Sequence, residues 1–342
     1  MGASHAHAYH AIEGFNLVGL MNRHLKPAEA LNQALGGGIK TFDDFTRAME
    51  ATHPDVVCIC TLPDSHEEYA VAALQAGAHV FMEKPMATTV ASAQRVVQAA
   101  RAAGRKVVIG YILRHHPSWI KFIEIAQSLG KPLVMRMNLN QQTQRVNWAR
   151  GILETASPIV DCGVHYVDVM CQMTRARPVR VSAIGARLSP EVVPEQYNYG
   201  QLQVTFDDGS VGWYEAGWGP MISETAYFVK DVIGPKGCVS IVAKSAVAPF
   251  KSSNLESHTR TESLRVHHAE LGADGKFARV DETIDLNDEP DHQELCCREQ
   301  RYLLQAIRED LDLTRHLEDG VNSLRIVLAA DQSVRSGKTI AL

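Results

Sequence analysis

Short apolar runs alternate with helix-forming segments over residues 15–111, and this alternation limits the possible folds more than any other feature of the chain. The strand-like runs are Phe15–Met21, 55–60 (DVVCIC), 78–85 (AHVFMEKP) and 106–111 (KVVIGY). A continuous apolar run such as DVVCIC is typical of a strand that is covered on both faces. Because strands that alternate with helices build parallel sheets through right-handed crossovers, we expect a Rossmann-type, doubly wound parallel sheet.

Helix signals fill the intervals between these runs. The longer helical segments are 27–35, 65–77 and 89–103, and a glycine stands at or just beyond the end of each. Glycine just beyond a helix is a common termination signal. Thr41 is interpreted as the cap of a shorter helix that continues to Met49.

The pattern changes after about residue 115, where longer strand-like runs with turn signals predominate. These runs are 132–140, 179–188, 200–218 and 238–243, with helical segments at 163–173, from 294 onward and at 321–336. Residues 251–292 are weakly patterned and are expected to form irregular strands and loops. We therefore expect a dinucleotide-binding domain at 1–114. An α+β domain with an open, mostly antiparallel sheet should follow at 115–342.

Composition and charge exclude several classes of function. The 342 residues are too many for one ordinary core, and a net charge of -5 provides no basic patch for nucleic acid. No run of 18 apolar residues and no signal peptide are visible, so a cytoplasmic protein without a membrane span is expected. The seven cysteines form no C-x-x-C motif, which favours reduced thiols over a disulfide framework.

The motif MEKPMATT, residues 82–89, gives the strongest local signal. It follows a predicted strand, and open α/β sheets bind their ligands beyond the carboxyl ends of the strands. Lys84 at this position could hold a positive charge beside a substrate hydroxyl or a nicotinamide. Taken alone, an isolated E-K-P is more typical of a lysine in a surface turn.

The motif DCGVHYVDVM, residues 161–170, places a carboxylate and an imidazole four residues apart. At the start of a helix, Asp161 and His165 would share one face. A carboxylate orients an imidazole and stabilises its protonated form, which suits a general base. The alternative is an Asp cap followed by a structural His. Asp168 is a weaker candidate that we expect to support the structure or to pair with a basic neighbour.

Together these motifs resemble the Gfo/Idh/MocA family of NAD(P)-dependent sugar and polyol oxidoreductases. The resemblance rests on the βαβ start, the run from LPDSHEEY to MATT, GYILRHHPSW, DCGVHYVDVM and the closing AADQSVRSGKTIAL, in this order and spacing. It implies hydride transfer between a nicotinamide and a sugar, polyol or cyclitol. In that family an E-K-P lysine and a D-x-x-x-H pair meet at the substrate, which implies catalytic roles for Lys84, Asp161 and His165.

The resemblance also implies where a dinucleotide binds. Gly2 fits the third glycine of a G-x-G-x-x-G-x-x-H motif and His5 fits its histidine, whereas the first two glycines and the preceding strand are not in the chain. A start assigned about ten residues late would account for this departure. Without that strand, the sheet should divide at a gap with unpaired backbone groups. The residues expected to line the cofactor are Gly2, Ser4, His5, Asn22, Arg23, Thr61, Leu62, Pro63, His66, Glu83 and Lys84.

The end of the second family strand bears on the choice of cofactor. An acidic residue there would bond the ribose 2′-hydroxyl of NAD. The chain has Asn22 and Arg23 instead, and Arg23 could pair with a 2′-phosphate. NADP is therefore favoured over NAD, although Arg23 could also lie in solvent.

Several other residues admit two interpretations. His5, His7 and His10 lie close in sequence, but no neighbouring Asp, Glu or Cys completes a set of metal ligands, so no metal site is predicted. Arg114 and His115 could contact substrate or form a hinge. Trp213 and Trp218 could line a sugar site or pack on a sheet face.

Apolar residues occur in both alternating sets of the 200–218 strands, with Leu202, Val204 and Phe206 in one set and Val211, Trp213 and Trp218 elsewhere along the run. One set can cover helices and the other needs a partner, so a sheet-face dimer or tetramer is predicted, which the resemblance also implies.

Two further functions remain open at this point. Some relatives use bound NAD transiently and hydrolyse glycosides, and others sense a dinucleotide and bind a regulatory partner. A sensor would be expected to lack the lysine or the histidine, and this chain keeps both Lys84 and His165. The sequence does not identify the substrate.

Overall fold

The structure, a computed structural model, describes residues 1–143, 156–225, 228–242, 251–254, 259, 261–287 and 289–342. The chain forms two compact units, each built from two stretches of sequence. The first unit is Met1–Ile112 with Pro290–Val321, and the second is Leu113–Glu289 with Asn322–Leu342. None of the described helices is both long enough and apolar enough to cross a membrane.

The first unit alternates helices and short parallel strands, as the sequence predicts. Its elements up to Ile112 are α1 (Gly2–Ala11), β1 (Gly19–Met21), α2 (Leu25–Ala34), β2 (Lys40–Phe42), α3 (Phe45–Thr52), β3 (Val56–Ile59), α4 (His66–Gln75), β4 (His79–Met82), α5 (Val90–Ala103) and β5 (Val107–Ile109). The strands form two separate parallel sheets, β1–β2 and β3–β4–β5. The gap lies between β1 and β3, which correspond to the second and fourth strands of the family's sheet, and a gap at this place was expected.

Local caps explain where these helices begin and end. Thr89 accepts a hydrogen bond from the backbone N–H of Ser92 and so caps α5, and Gly104 ends α5 in the left-handed region with φ 60°. The prediction for Thr41 is wrong, because Thr41 lies in β2 and pairs with Leu20. The cap of α3 is instead Asp44, three residues further on.

The second part of the first unit comes from late in the sequence, in a stretch that the sequence analysis assigned to the second domain. It contains α9 (His292–Arg308) and the first turns of α10 (Thr314–Ser336). Leu303 and Leu313 from this stretch pack with Phe81 of β4 and Val108 of β5 in one buried cluster. The parallel sheet therefore acquires part of its cover from residues about 200 positions away.

The second unit is built on one large sheet. Its elements are α6 (Pro117–Ser128), β6 (Val134–Gln141), α7 (Pro158–Asp161), α8 (Gly163–Thr174), β7 (Pro178–Ala186), β8 (Tyr199–Phe206), β9 (Val211–Trp218), β10 (Lys230–Gly234), β11 (Gly237–Val242), β12 (Ser263–His268), β13 (Glu282–Asp285), the later turns of α10 and β14 (Ile340–Ala341). The strand order is β13-β12-β11-β10-β6-β9-β8-β7-β14, and only the β6–β9 pair is parallel. The expected open, mostly antiparallel sheet is confirmed, and part of the irregular stretch 251–292 lies outside the described residues.

Helices cover one face of this sheet. Leu202, Val204 and Phe206 of β8 and Tyr214 of β9 are buried, and α8 packs against β9. Trp218 belongs to this covered face, because it has the same strand parity as Tyr214 and is 1% exposed. The prediction that Trp218 belongs with Val211 and Trp213 is therefore wrong.

Candidate functional site

The amino-terminal turn of α1 presents backbone donors at the position predicted for a dinucleotide. The N–H groups of Gly2, Ala3 and Ser4 precede the first intrahelical bond, which runs from the His5 N–H to the Met1 carbonyl. Gly2 and Ala3 are exposed and Ser4 is half-buried. Such a helix start is suited to binding a phosphate group.

His5 and Glu83 are buried partners. His5 Nε2 lies 2.9 Å from Glu83 Oε1, and the other carboxylate oxygen accepts a hydrogen bond of 3.2 Å from the Lys84 N–H. The first helix is thereby linked to the turn that carries Lys84. His5 and Glu83, which were predicted to line the cofactor, therefore fix the position of the turn that carries Lys84 in the first unit.

The turns after β1 and β3 contain the remaining predicted cofactor residues. Asn22 and Arg23 are exposed immediately after β1, and the Asn22 side chain accepts a hydrogen bond from the His24 N–H at 2.9 Å. Thr61 and Leu62 are exposed immediately after β3. All four residues therefore stand beyond the carboxyl ends of parallel strands, where this class of sheet binds ligands.

His66 is buried and connects two turns at that edge, and the half-buried Pro63 begins the short 3₁₀ turn just before it. The ring nitrogens of His66 lie 3.0 Å from the Pro85 carbonyl and 3.1 Å from the Thr61 carbonyl. Burial lowers the pKa of His66, so a neutral ring donates to one of these carbonyls at neutral pH. His66 thus supports the backbone on the far side of Lys84, which is itself half-buried at the end of β4.

Asp161 and His165 lie on either side of a break between two helices in the second unit. Asp161 is the last residue of α7, His165 is in the first turn of α8, and Cys162 between them keeps helical torsion angles. Both side chains are half-buried. They stand about one turn apart, as the spacing predicts, although not within one regular helix.

Close packing fixes the start of α8. A Cβ atom at Gly163 would lie 2.9 Å from Tyr214 Cε1, so only glycine fits against that ring. Tyr214 in turn stacks on Tyr166 with ring centroids 5.0 Å apart. Burial is the main cause that raises the pKa of both Tyr166 and Tyr214. The two phenols therefore stay protonated near the two predicted catalytic residues.

Asp168 is an ion-pair partner, as the sequence analysis favoured. Arg114 donates from Nε to Asp168 Oδ2 at 2.8 Å and from Nη2 to Oδ1 at 2.5 Å, and Gln172 donates to Oδ2 at 2.9 Å. Asp168 is 1% exposed. This bidentate ion pair connects the first residues of the second unit to α8. The position of Arg114 is therefore explained without a substrate contact.

Helix α9 also contributes buried polar side chains near His5, and this was not expected from the sequence. Glu299 and Gln300 are fully buried polar residues on this helix, and the Gln300 Nε2 atom lies 2.9 Å from His5 Nδ1. The signal available in the sequence was that Glu299 and Gln300 lie on the apolar face of an amphipathic helix. Their role depends on His5, which is almost 300 positions away in the sequence.

Curated relatives match part of the chain. An inositol 2-dehydrogenase of Paracoccus denitrificans is 29% identical over 161 residues, which are 46% of this chain and 46% of that protein. An inositol 2-dehydrogenase of Acidothermus cellulolyticus is 25% identical over 224 residues, 64% of each chain. The matched stretches therefore cover about half to two thirds of the length of these relatives.

Solved structures match the fold over almost the whole chain. An NAD-binding oxidoreductase from Klebsiella pneumoniae superposes with a TM-score of 0.80 at 23% identity, covering 100% of this chain and 96% of that one. An aldose-aldose oxidoreductase from Caulobacter crescentus gives a TM-score of 0.77 at 21% identity, covering 98% and 94%. At these identities the likeness establishes the fold.

Two family models account for the chain in sequence order. The NAD-binding Rossmann-fold model of the Gfo/Idh/MocA oxidoreductase family matches residues 1–111, and the C-terminal alpha/beta model of the same family matches residues 124–342. The order of the two matches follows the predicted order of domains. The chain therefore belongs to the Gfo/Idh/MocA oxidoreductase family.

Proposed function

We propose that this protein is an NAD(P)-dependent dehydrogenase or reductase that acts on a hydroxyl or carbonyl carbon of a sugar, polyol or cyclitol. The observation that carries the proposal is the presence of Lys84 at the end of β4 and of Asp161 and His165 at the α7–α8 break, in a chain of this family. The relatives named inositol 2-dehydrogenase support the substrate class.

The first unit fits a dinucleotide. The start of α1 offers unbonded N–H groups suited to a diphosphate, and the exposed turns at Asn22–Arg23 and Thr61–Leu62 flank strands of the same parallel topology. A Cβ atom at Gly2 would lie 3.6 Å from Cys60 Cβ, so the start of α1 lies close to the end of β3. When bound, the nicotinamide supplies the hydride chemistry.

The protein side chains then handle the substrate oxygen and its proton. Lys84 Nζ donates a hydrogen bond to the reacting oxygen and stabilises negative charge that develops there. A ring nitrogen of His165 accepts the hydroxyl proton during oxidation and returns it during reduction. Asp161 orients that imidazole or binds a neighbouring substrate hydroxyl. The buried His5–Glu83 pair and His66 hold the Lys84 turn in place.

The test is a screen of the full chain for nicotinamide reduction. Purified protein is incubated with NAD or NADP and with myo-inositol, aldoses, alditols or nucleotide sugars, and the absorbance of the reduced cofactor is followed. A lasting rise with at least one polyol or sugar is expected. Sugar release without a lasting rise would support a glycosidase, and binding of cofactor without either activity would support a sensor.

Variants then connect the activity to the named residues. His165→Ala should lower kcat by about 10²- to 10⁴-fold, as expected for loss of a general base, with little change in cofactor affinity. Lys84→Met should lower kcat to a similar degree. His267→Ala, a half-buried histidine of β12 that pairs with Asp281, is the matched control and should keep full activity. Parallel losses of kcat and cofactor affinity in His165→Ala would indicate a structural role.

A further inference from the structure

A hydrogen-bonded group of three side chains lies in the second unit, at the start of α7. We call it the Ser–Tyr–Asp group, and its members are Ser157, Tyr197 and Asp331. The Ser157 hydroxyl donates to Asp331 Oδ1 at 2.6 Å. The Tyr197 hydroxyl lies 2.9 Å from Ser157 Oγ and also contacts Asp331 Oδ1. Ser157 and Tyr197 are buried and Asp331 is half-buried, so two hydroxyl groups share one carboxylate oxygen largely out of contact with water.

Ser157 connects this group to the predicted catalytic residue Asp161. Its Oγ accepts a hydrogen bond of 3.2 Å from the Val160 N–H and so caps α7. Its carbonyl oxygen accepts a hydrogen bond of 3.0 Å from the Asp161 N–H. Asp161 therefore stands one helical turn from Ser157, and a displacement of Ser157 would move the Asp161 carboxylate relative to His165.

From this geometry we infer that Asp331 and Tyr197 are positioning residues, which hold Ser157 and through it fix Asp161 for the reaction. The inference rests on the proposed function, because that function gives Asp161 its role at the substrate. A displacement of about 1 Å at a reacting group can lower the rate by about 10²-fold. The inference also gives a role to the closing motif AADQSVRSGKTIAL, residues 329–342, which contains Asp331.

Two glycines of the large sheet make room for the Tyr197 ring. Gly185 of β7 and Gly200 of β8 are paired across the two strands. A Cβ atom at Gly185 would lie 3.0 Å from Tyr197 Cγ, and one at Gly200 would lie 2.7 Å from Tyr197 Cε2. The latter would also lie 2.8 Å from Cδ1 of Ile159 in α7. The ring and α7 therefore pack directly on the strand backbone, which leaves little room for either to shift.

Tyr197 is suited to act as a fixed hydrogen-bond donor. Burial, and next the neighbouring Asp331 carboxylate, raises the pKa of Tyr197, so its hydroxyl keeps its proton at neutral pH. The following residue, Asn198, is 1% exposed. Its Nδ2 donates to the Trp218 carbonyl at 2.7 Å, and its Oδ1 accepts from the Leu188 N–H at 2.7 Å. The backbone beside Tyr197 is thus tied to the sheet.

The test compares kcat with backbone hydrogen exchange in matched variants of the full chain. Asp331→Leu removes the shared acceptor and should lower kcat by about 10- to 100-fold, with little change in cofactor affinity. Exchange at the amides of residues 159–165, followed by mass spectrometry, should become faster. Asp331→Asn keeps the size of the side chain and an acceptor oxygen, so it should retain most of the kcat. Tyr197→Phe keeps the ring and removes one donor, so its loss should be smaller than that of Asp331→Leu.

Asp161→Asn shows whether the effect passes through Asp161. In that background, Asp331→Leu should lower kcat by a further factor of less than about 2, because residues that act as one unit are not additive. The loss of stability caused by Asp331→Leu, measured by thermal unfolding, should be the same in both backgrounds. An equal loss of kcat in both backgrounds would overturn the inference, since Asp331 would then act independently of Asp161.

Ser333→Ala is the matched control on α10, two residues from Asp331. Ser333 is 1% exposed, and its Oγ accepts from the Ala183 N–H at 2.9 Å and donates to the Lys338 carbonyl at 2.7 Å. The variant should lower the melting temperature and leave kcat and the exchange at residues 159–165 unchanged. A loss of kcat equal to that of Asp331→Leu would show that any weakening of α10 has the same effect, and would overturn the inference.

Hydrogen exchange separates this inference from the proposed function. Circular dichroism identifies a variant that does not fold, and Tyr197→Phe remains informative if Asp331→Leu is lost. Unchanged exchange at residues 159–165 in the folded variants would overturn the positioning role. A wild-type chain without dehydrogenase activity would contradict the proposed function, and the exchange rates would still decide whether the Ser–Tyr–Asp group holds α7.

Discussion

Arg23 is the side chain best placed to distinguish the two nicotinamide cofactors. It is exposed directly after β1, next to Asn22, and neither residue is the acidic residue that would bind the ribose 2′-hydroxyl of NAD. A guanidinium paired with a 2′-phosphate contributes about 1.5–3 kcal/mol, and the lower value applies at an exposed position. Arg23→Ala should therefore raise the KM for NADP by about 10-fold while leaving that for NAD within 2-fold, measured by steady-state kinetics with each cofactor.

Arg47→Ala is the control for this variant. Arg47 is an exposed arginine of α3 whose ion pair with Asp43 is solvent-accessible, so its loss should change neither KM. An unchanged ratio of NADP to NAD efficiency in Arg23→Ala would contradict the predicted preference for NADP.

Lys230 in β10 is the clearest site of pH-dependent stability. It is 2% exposed, its Nζ donates no hydrogen bond to any described residue, and the Phe228 ring centroid lies 3.7 Å from that atom. Burial lowers the pKa of Lys230 from 10.5 to about 7. The unfolded chain therefore binds a proton between pH 7 and about 10.5 that the folded chain does not, and stability should rise with pH across this window.

Lys230→Met should remove this dependence. At about 1.4 kcal/mol per pKa unit, burial of the lysine costs the folded state on the order of 4 kcal/mol at pH 7 and less than about 1 kcal/mol at pH 10. The variant should be more stable than the wild type at pH 7, and its advantage should shrink by about 3 kcal/mol at pH 10. Urea unfolding at both pH values measures the difference, and a constant difference would show that Lys230 does not titrate in this range.

At the scale of elements, the junction of α7 and α8 depends on one glycine. Gly163→Ala should destabilise the protein by about 1–3 kcal/mol, because the new methyl group overlaps the Tyr214 ring. Under the proposed function it should also lower kcat, since His165 is two residues further along α8. Thermal unfolding and steady-state kinetics measure the two effects.

A double variant tests the cause. Shortening the opposing side chain in Gly163→Ala/Tyr214→Leu should relieve the overlap, so the combined loss of stability should be smaller than the sum of the two single losses. Additive losses would show that the ring does not oppose the methyl group.

The elements of the first unit could be predicted because their signals are local. The Thr89 cap and the Gly104 terminus stand within the segment that they define, and the apolar run at 55–60 became β3. The prediction for Thr41 was wrong because a threonine is compatible with both a helix cap and a strand, and its pairing with Leu20 placed it in β2. The assignment of α9 to the first unit and the environment of Glu299 depend on long-range packing, which no local signal encodes.

At the scale of the whole molecule, a row of exposed aliphatic side chains on the large sheet predicts self-association. Ile233, Val134 and Val211 lie side by side across β10, β6 and β9, and each is about 40% exposed. A contiguous row of exposed aliphatic side chains is typical of a protein interface. We expect a homodimer or homotetramer in which this face meets its counterpart around a two-fold axis.

Light scattering at micromolar concentration tests this prediction. Val134→Asp/Val211→Asp should yield monomers, because two carboxylates per chain would be buried in the contact. Leu271→Asp is the control, since Leu271 is 58% exposed in a loop outside the row. A monomeric wild type, or an unchanged assembly in the double variant, would rule out this interface.

The late origin of α9 affects how the protein is made. The ribosome completes the first unit's sheet strands by Ile112, yet Leu303 and Leu313, which cover Phe81 and Val108, follow roughly 190 to 200 residues later. At about 5–20 residues per second, the nascent chain waits roughly 10 to 40 s for them. During that interval an apolar sheet surface stays open to chaperones or to neighbouring chains. The second unit, whose sheet strands up to β13 lie within one continuous stretch, can begin folding before the first unit is complete.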